Sequence, residues 1–400
     1  MAPSIDASSF IMDQVRKAKT AMEEAAARGD YAAAARHARK AAVLLRRLAE
    51  LRPWSRERLE ELAGEYERLA EEYSGVRPRL SRALRARGEA VGGTSDEGED
   101  EFYSRALELI VRADVSWDDI VGLEEAKKSL IEAILYSMAR PSDGRVRFEP
   151  PRRILLYGPP GTGKTMLGMA ASRMMGATFF YVSVDKILSK YVGDSPRMLA
   201  AVFRAAESMA PSIVFFDEVE ALAASRDSGR EPATGLVQTF LTELDGFKSK
   251  MLDKPVLVIA ATNKPWLLDE AILSRFEKKI YTPLPDVEAR MKLFQLEIER
   301  KGFQISGITY RELAEMTEGY SGREIRTAAR QAVVYMLRRA NPDLYEKAFK
   351  LSDPSMLSSL TYKVEPLTRD DLLRAIRAVK PSVTRDEIRR YEEWARTHGG

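Results

Sequence analysis

The chain has 400 residues, 31% charged and 45% hydrophobic, and its 63 basic and 60 acidic side chains leave a net charge of +3. Such interspersed charge gives no footprint for direct nucleic-acid binding, and no apolar run reaches the roughly 18 residues that span a bilayer. With no cysteine, only two histidines (His37 and His398) and no signal peptide at the N-terminus, the sequence excludes a disulfide framework, thiol chemistry and a histidine metal site or base, and points to a reducing cytoplasm.

Residues 1–75 are rich in Ala, Arg and Glu and carry three apolar stripes at helical spacing. The first is Ile11, Val15, Ala18 and Met22; the second Ala34, Ala38, Ala41, Leu45 and Leu48; the third Leu59, Leu62, Tyr66, Leu69 and Tyr73. Gly29-Asp30 ends the first helix and caps the second, and Pro53 parts the second from the third. Short connections make neighbours antiparallel, which predicts a three-helix bundle. The second stretch is also similar to one tetratricopeptide hairpin, but such repeats need about three copies to bury a core. A coiled-coil arm is interrupted by Gly29 and Pro53.

Over 76–113 the pattern fails. RPRLSRALRAR is basic, a solvated helix face or a contact for anionic lipid or nucleic acid, and GEAVGGTSDEGEDE reads as a flexible tether. From 114 to 284 five apolar runs, RILLYG, ATFFYVSV, SIVFFDE, VLVIAATN and KKIYTPLP, alternate with helical stretches. Apolar strands between helices predict a parallel sheet covered on both faces. Residues 285–380 are mainly helical. In 381–400, Thr384 and Glu387 form a capping box, and Ile388, Tyr391, Trp394 and Ala395 make a stripe that predicts a docked last helix.

The chemistry lies in the α/β region. Gly158, Pro159, Pro160, Gly161, Thr162, Gly163, Lys164 and Thr165 follow a strand and open a helix at Met166, the context that identifies a phosphate-binding P-loop. Lys164 is placed to reach the β- and γ-phosphates of ATP, and Thr165 to ligate Mg²⁺. Asp217 and Glu218 end another buried run. Asp217 suits the magnesium and Glu218 a water to be polarised. Asn263, at a third strand end, is either a turn former or the group that orients that water. In SKYVGDS, Ser189, Lys190, Gly193, Asp194 and Ser195 read as loop, and Ser195-Pro196 as a helix start. Tyr191 and Val192 then sit on an exposed loop, unless Tyr191 belongs to a core.

In this order, SWDDIVGLEEAKKSL, YGPPGTGKT, IVFFDE, AATN, RFEKKIYTPLPD and GYSGREI resemble an AAA ATPase over residues 115–380. SKYVGDS and the C-terminal KPSVTRDEIRRYEEWARTHGG resemble the branch containing katanin, spastin and the vacuolar-protein-sorting-four ATPases. The first three helices resemble a microtubule-interacting-and-transport (MIT) domain, and the combination is similar to ATPases that disassemble ESCRT-III filaments and to their archaeal cell-division relatives. The resemblance implies an α/β fold: a P-loop domain with a five-stranded parallel sheet and a helical lid, behind an all-α bundle. It implies a homo-hexameric ring, recruited to membranes through ESCRT-III-like filament partners, whose pore grips substrate with Lys190, Tyr191 and Val192 and, below them, Arg226 and Arg230. It implies that the segment with Asp119 and Gly122 meets adenine, that Gly322 of the lid meets the nucleotide, and that Arg275 reaches the neighbouring subunit's γ-phosphate. Ser274 stands where the branch usually has a second arginine. Arg323 stands where it has a small residue, and is either a phosphate sensor or a solvated side chain paired with an acid such as Glu318. A microtubule-severing enzyme, a nucleotide-gated scaffold and a DNA-remodelling protein are the rivals.

Overall fold

The computed structural model describes residues 7–51, 56–86, 96–139, 150–191, 193–223, 231–249, 255–349, 357 and 360–398. Three long helices come first: α1 (Ala7–Ala27), α2 (Tyr31–Leu51) and α3 (Arg56–Ala86). The first turn is as expected. Gly29, at φ +77°, lets the chain reverse, and Asp30 Oδ1 accepts from the Ala33 N–H at 2.9 Å. Ala34, Ala38, Ala41 and Leu45 are fully buried, so small side chains draw α2 against α1 and α3. Pro53 lies outside the described residues.

The connection meets one expectation and departs from another. Helix α3 continues through the basic stretch to Ala86, as a helix face would, whereas the last six residues of the acidic stretch open helix α4 (Asp96–Leu107); residues 88–95 lie outside the described residues. Phe102, Ala106 and Leu107 of α4 are buried, and they pack on a helix of the α/β region. Residues that follow pair antiparallel with the sheet edge, where Ile110 bridges Phe180 and the Val111 N–H donates to Phe179 O at 2.9 Å. This covers one edge strand.

The α/β region comprises α5 (Glu124–Met138), β1 (Arg153–Tyr157), α6 (Lys164–Met175), β2 (Thr178–Ser183), α7 (Val184–Lys190), α8 (Ser195–Ser208), β3 (Ser212–Asp217), α9 (Glu231–Ser249), β4 (Val256–Thr262), the short α10 (Glu270–Leu273) and β5 (Lys278–Tyr281). The five apolar runs form five parallel strands, as predicted, and these take the order β2-β3-β4-β1-β5. Every residue of β1 and β4 is buried, the mark of strands covered on both faces. Crossovers place the ends of β1, β3 and β4 side by side along one sheet edge, where Tyr157 pairs with Thr262.

The lid follows: α11 (Val287–Glu299), β6 (Ile305–Ser306), α12 (Tyr310–Glu315), α13 (Gly322–Ala340), α14 (Leu344–Phe349), β7 (Leu367–Thr368) and α15 (Arg369–Ala378), with a separate core around Phe294, Leu313 and Ala332. The last helix, α16 (Arg385–His398), begins at the expected capping box: Thr384 Oγ1 and Glu387 exchange bonds of 3.0 and 3.2 Å. It docks as expected, but on the α/β region. Trp394 meets Tyr157 edge-on at 4.4 Å, and Tyr391 lies 5.0 Å from Trp266. No helix among the described residues is long and apolar enough to cross a membrane.

Candidate active site

A cleft of about 620 Å³ opens between the sheet edge and the lid. Its floor is the turn from β1 into α6. Gly158 and Gly161 take φ of +144° and +77°. A Cβ on Gly158 would stand 2.4 Å from the Thr282 carbonyl oxygen, and one on Gly161 2.5 Å from Ser321 Oγ. Glycine alone has both the conformation and the room. The loop is thus clasped between the end of β5 and the start of α13.

Lys164 opens α6 and is only 7% exposed. Its Nζ donates to the Gly158 and Pro159 carbonyls, each at 2.8 Å. Burial pulls the ammonium down to about 8, against the upward influence of Asp217 and Glu220. Gly161, Thr162, Gly163, Lys164, Thr165 and Met166 line the cleft; Gly158, Pro159 and Pro160 are not among the lining residues. The helix N-terminus and its donors make this end of the cleft suited to phosphate.

Thr165 and Asp217 come together as predicted, Thr165 Oγ1 donating to Asp217 Oδ2 at 3.4 Å. Tyr181, two residues before the end of β2, donates its O–H to the same oxygen at 2.8 Å. A hydroxyl and a carboxylate fit magnesium, which takes few protein oxygens and keeps several waters. Among the described residues no cluster of three or more His, Cys, Asp or Glu side chains could form a fuller cage.

Glu218 follows at φ +56°, a left-handed conformation uncommon for a residue with a Cβ. Its N–H donates to Asp217 Oδ1 at 3.1 Å. Desolvation first, then Asp217, Glu220 and Asp185, raise its carboxyl, while Arg323 opposes them. A carboxylate with a raised affinity for protons, at the rim of a phosphate cleft, can take one from water. Asn263 lines the cleft beside it. Its N–H donates to Glu220 Oε1 at 3.2 Å, and its carbonyl accepts the O–H of Tyr391 from α16. The other oxygen of Glu220 is buried without a partner.

Asp119, Gly122 and Leu123 form the opposite wall. Asp119 Oδ2 accepts from the N–H and Oγ of Ser116 at 2.9 Å each, and Oδ1 from Arg300 Nη1 at 2.7 Å. These bonds hold its carboxyl at about 2, so Asp119 serves by fixing the backbone of 119–122. Gly322 and Arg323 close the top from α13. Glu318, the alternative partner considered for Arg323, pairs with Arg385 at 3.6 Å.

Arg275 is not brought to this cleft; it lies just past α10, paired with Asp245. Lys190 ends α7 and Tyr191 caps it, so Ser189 and Lys190 are helical rather than loop. Tyr191 is half-buried, not exposed, because α4 packs over it and the Arg105 guanidinium carbon lies 5.6 Å from its ring centroid. Val192, Arg226 and Arg230 lie outside the described residues. Sequence reasoning missed Tyr181, Glu220, Thr282 and Tyr391. The first and last sit in apolar stripes, and only the hydroxyl of each ring hinted at a polar task.

Three family models match consecutive stretches: "ATPase family associated with various cellular activities (AAA)" at residues 154–284, "AAA+ lid domain" at 307–351, and "Vps4 C terminal oligomerisation domain" at 357–399. Fidgetin-like protein 1 of Drosophila melanogaster is 36% identical over 71% of this chain and 52% of its own length. Vacuolar protein sorting-associated protein 4 of Dictyostelium discoideum is 34% identical over 76% of this chain and 74% of its own length. The chain therefore spans about half of the fidgetin-like relative and about three quarters of the Dictyostelium one. The crystal structure of the FIGL-1 AAA domain in complex with ADP is similar at a TM-score of 0.63 and 30% identity, covering 78% of this chain and 99% of that one.

Proposed function

The chain belongs to the AAA ATPases that carry a Vps4-type C-terminal oligomerisation domain; we propose that it hydrolyses ATP to remodel protein assemblies and disassembles ESCRT-III-like filaments by drawing their subunits through the pore of a cytoplasmic hexamer. The supporting observation is the reach of the Vps4 match, which extends over most of the length of both proteins. The N-terminal helices then act as an MIT-like recruiting bundle, taking a substrate helix or strand in an inter-helix groove.

In this reading Lys164 binds the β- and γ-phosphates, and the P-loop N–H groups cradle them. Thr165 and Asp217 hold Mg²⁺, which when bound neutralises phosphate charge. Glu218 accepts a proton from the attacking water, and Asn263 orients that water. Residues 119–122 and Gly322 enclose the base and sugar. Arg323 approaches the nucleotide of its own subunit, and Arg275 that of its neighbour. Tyr191 wedges against the extended substrate, a large contact with few rotatable bonds and little dependence on sequence.

The test is sedimentation. With ATP, the full chain should move an ESCRT-III-like protein from pelleted filament to supernatant and leave microtubules, offered in parallel, at full length. Tyr191→Ala should keep basal hydrolysis within about twofold and lose that release, since the tyrosine grips substrate rather than nucleotide. Severed microtubules beside intact filaments would replace this reading with a severing enzyme.

A further inference from the structure

Arg275 is held by three hydrogen bonds. Its Nε and Nη2 donate to Asp245 Oδ2 at 3.2 and 3.0 Å, and its Nη1 donates to Ser274 Oγ at 3.2 Å. Asp245, near the end of α9, is fixed from behind. The guanidinium of Arg153, with its side chain 6% exposed, stands 3.7 Å from Asp245 Oδ1. Arg153 cannot readily move: Nη1 donates to the Leu244 carbonyl at 3.2 Å and Nη2 to Glu277 Oε1 at 2.6 Å. Glu277 in turn accepts the backbone N–H groups of Arg152 and Arg153 at 2.7 and 3.2 Å. Ser274 is anchored by its own bond to the Ala271 carbonyl at 3.1 Å. A rigid chain of contacts thus runs from the first residue of β1 to the guanidinium of Arg275.

A guanidinium offers five N–H donors. Asp245 takes the side edge and Ser274 one further N–H. Two remain, enough for a forked contact with phosphate oxygens. As a stabilising device this arrangement is poor, because Asp245 is half exposed and solvent screens such pairs. As a way of fixing direction it is strong, because three bonds define both the position and the plane of the guanidinium.

We infer that Asp245 and Ser274 are positioning residues that aim Arg275, the one arginine of the Ser274-Arg275 pair, at the γ-phosphate bound by the adjacent subunit. Ser274, where the family resemblance implies a second arginine, holds the first one. The inference rests on the reading of Arg275 given above.

The test is steady-state hydrolysis by full-length variants at concentrations where ATP drives assembly. Arg275→Ala should lower kcat by about a hundredfold or more. Asp245→Ala should lower kcat about tenfold, as misplacement of a reacting group does, with the KM for ATP within about twofold. Asp245→Asn, which keeps an acceptor oxygen, should recover part of the loss, and Ser274→Ala should cost less than Asp245→Ala. In the Arg275→Ala background, Asp245→Ala should cost nothing more. Wild-type or faster turnover in Asp245→Ala overturns the positioning role, as does a second tenfold loss on top of Arg275→Ala. Wild-type turnover in Arg275→Ala instead overturns the trans-arginine reading, and the inference with it. Should Asp245→Ala fail to assemble, Asp245→Asn and Ser274→Ala carry the same comparison.

Discussion

Lys164 carries two demands that conflict. It must sit in a buried loop, and it must be charged to hold phosphate. Burial pulls its ammonium to about 8, within the range where proteins are handled. Bound phosphate favours the charged form, so nucleotide binding raises that value. Affinity is therefore complete below about pH 8 and is lost as pH rises through it, by up to about tenfold per pH unit until the raised value of the complex is reached. Titration with a fluorescent ATP analogue between about pH 7 and about pH 9.5 should show this decline. Lys164→Arg, which stays protonated, should flatten it in whatever affinity remains; an equal decline in both chains would assign the titration to another group. Glu218 meets a second conflict, since its left-handed backbone is a conformation that costs about 1–3 kcal/mol for a residue with a Cβ. That strain places the carboxylate at the cleft rim beside Asn263. Glu218→Gln should lower turnover by at least about a hundredfold, the range of a lost general base, and retain ATP. A glutamine variant that turns over normally removes Glu218 from the reaction.

Helix α16 binds the end of the chain to the cleft. Its Tyr391 O–H meets the Asn263 carbonyl, and its Trp394 packs on Tyr157, the last residue of β1. Both strand ends that frame the phosphate site are therefore braced by a helix more than a hundred residues later. Trp394 is 7% exposed, and Trp394→Ala should cost about 3–5 kcal/mol in urea unfolding, the range for deleting a buried aromatic ring. A cost below about 1 kcal/mol would mean that α16 is not seated there. Such ties explain what the sequence hid. The strands were legible because burial on both faces leaves continuous apolar runs, and the P-loop because its glycine spacing between a strand and a helix is a local pattern. Docking of α16 was legible from Tyr391 and Trp394, but its seat was not, because Tyr391 and Asn263 are far apart in sequence. The first turns of helix α4, residues 96–101, were misread as tether because DEGEDE is acidic and contains glycine. Its buried face, Phe102, Ala106 and Leu107, has a partner, α8, almost a hundred residues away. Tyr191 appeared exposed for the same reason, since the helix that covers it had not been recognised.

At the scale of the whole molecule, the bundle and the α/β region share one apolar core. It runs from Ala38 and Leu45 through Phe102 and Leu107 to Val202 and Phe216. Polar contacts seal its margin. Lys40 Nζ donates to the Ser208 carbonyl at 2.6 Å, and the Tyr103 hydroxyl meets Ser208 Oγ at 2.6 Å. Helix α4 also carries Arg105 over Tyr191, and the Lys40 contact fixes the position of the bundle beside it. Lys40 reports on that position, because burial brings its ammonium down from 10.5 to about 8. A base with a lowered folded value binds fewer protons in the docked, folded state than when released. Between about pH 8 and about pH 10.5 the released state therefore holds the extra proton, and docking gains stability as pH rises. Below about pH 8 both states are protonated and the cost of burying the charge is borne in full. From about pH 7.5 to about pH 9.5 this group should add up to about 2 kcal/mol. Other ionisable groups titrate too, so the quantity to measure is a difference: urea unfolding free energy of the wild type minus that of Lys40→Met at each pH. That difference should move in favour of the wild type as pH rises. If it stays constant, Lys40 is not buried against Ser208 in solution, and the bundle is not docked there.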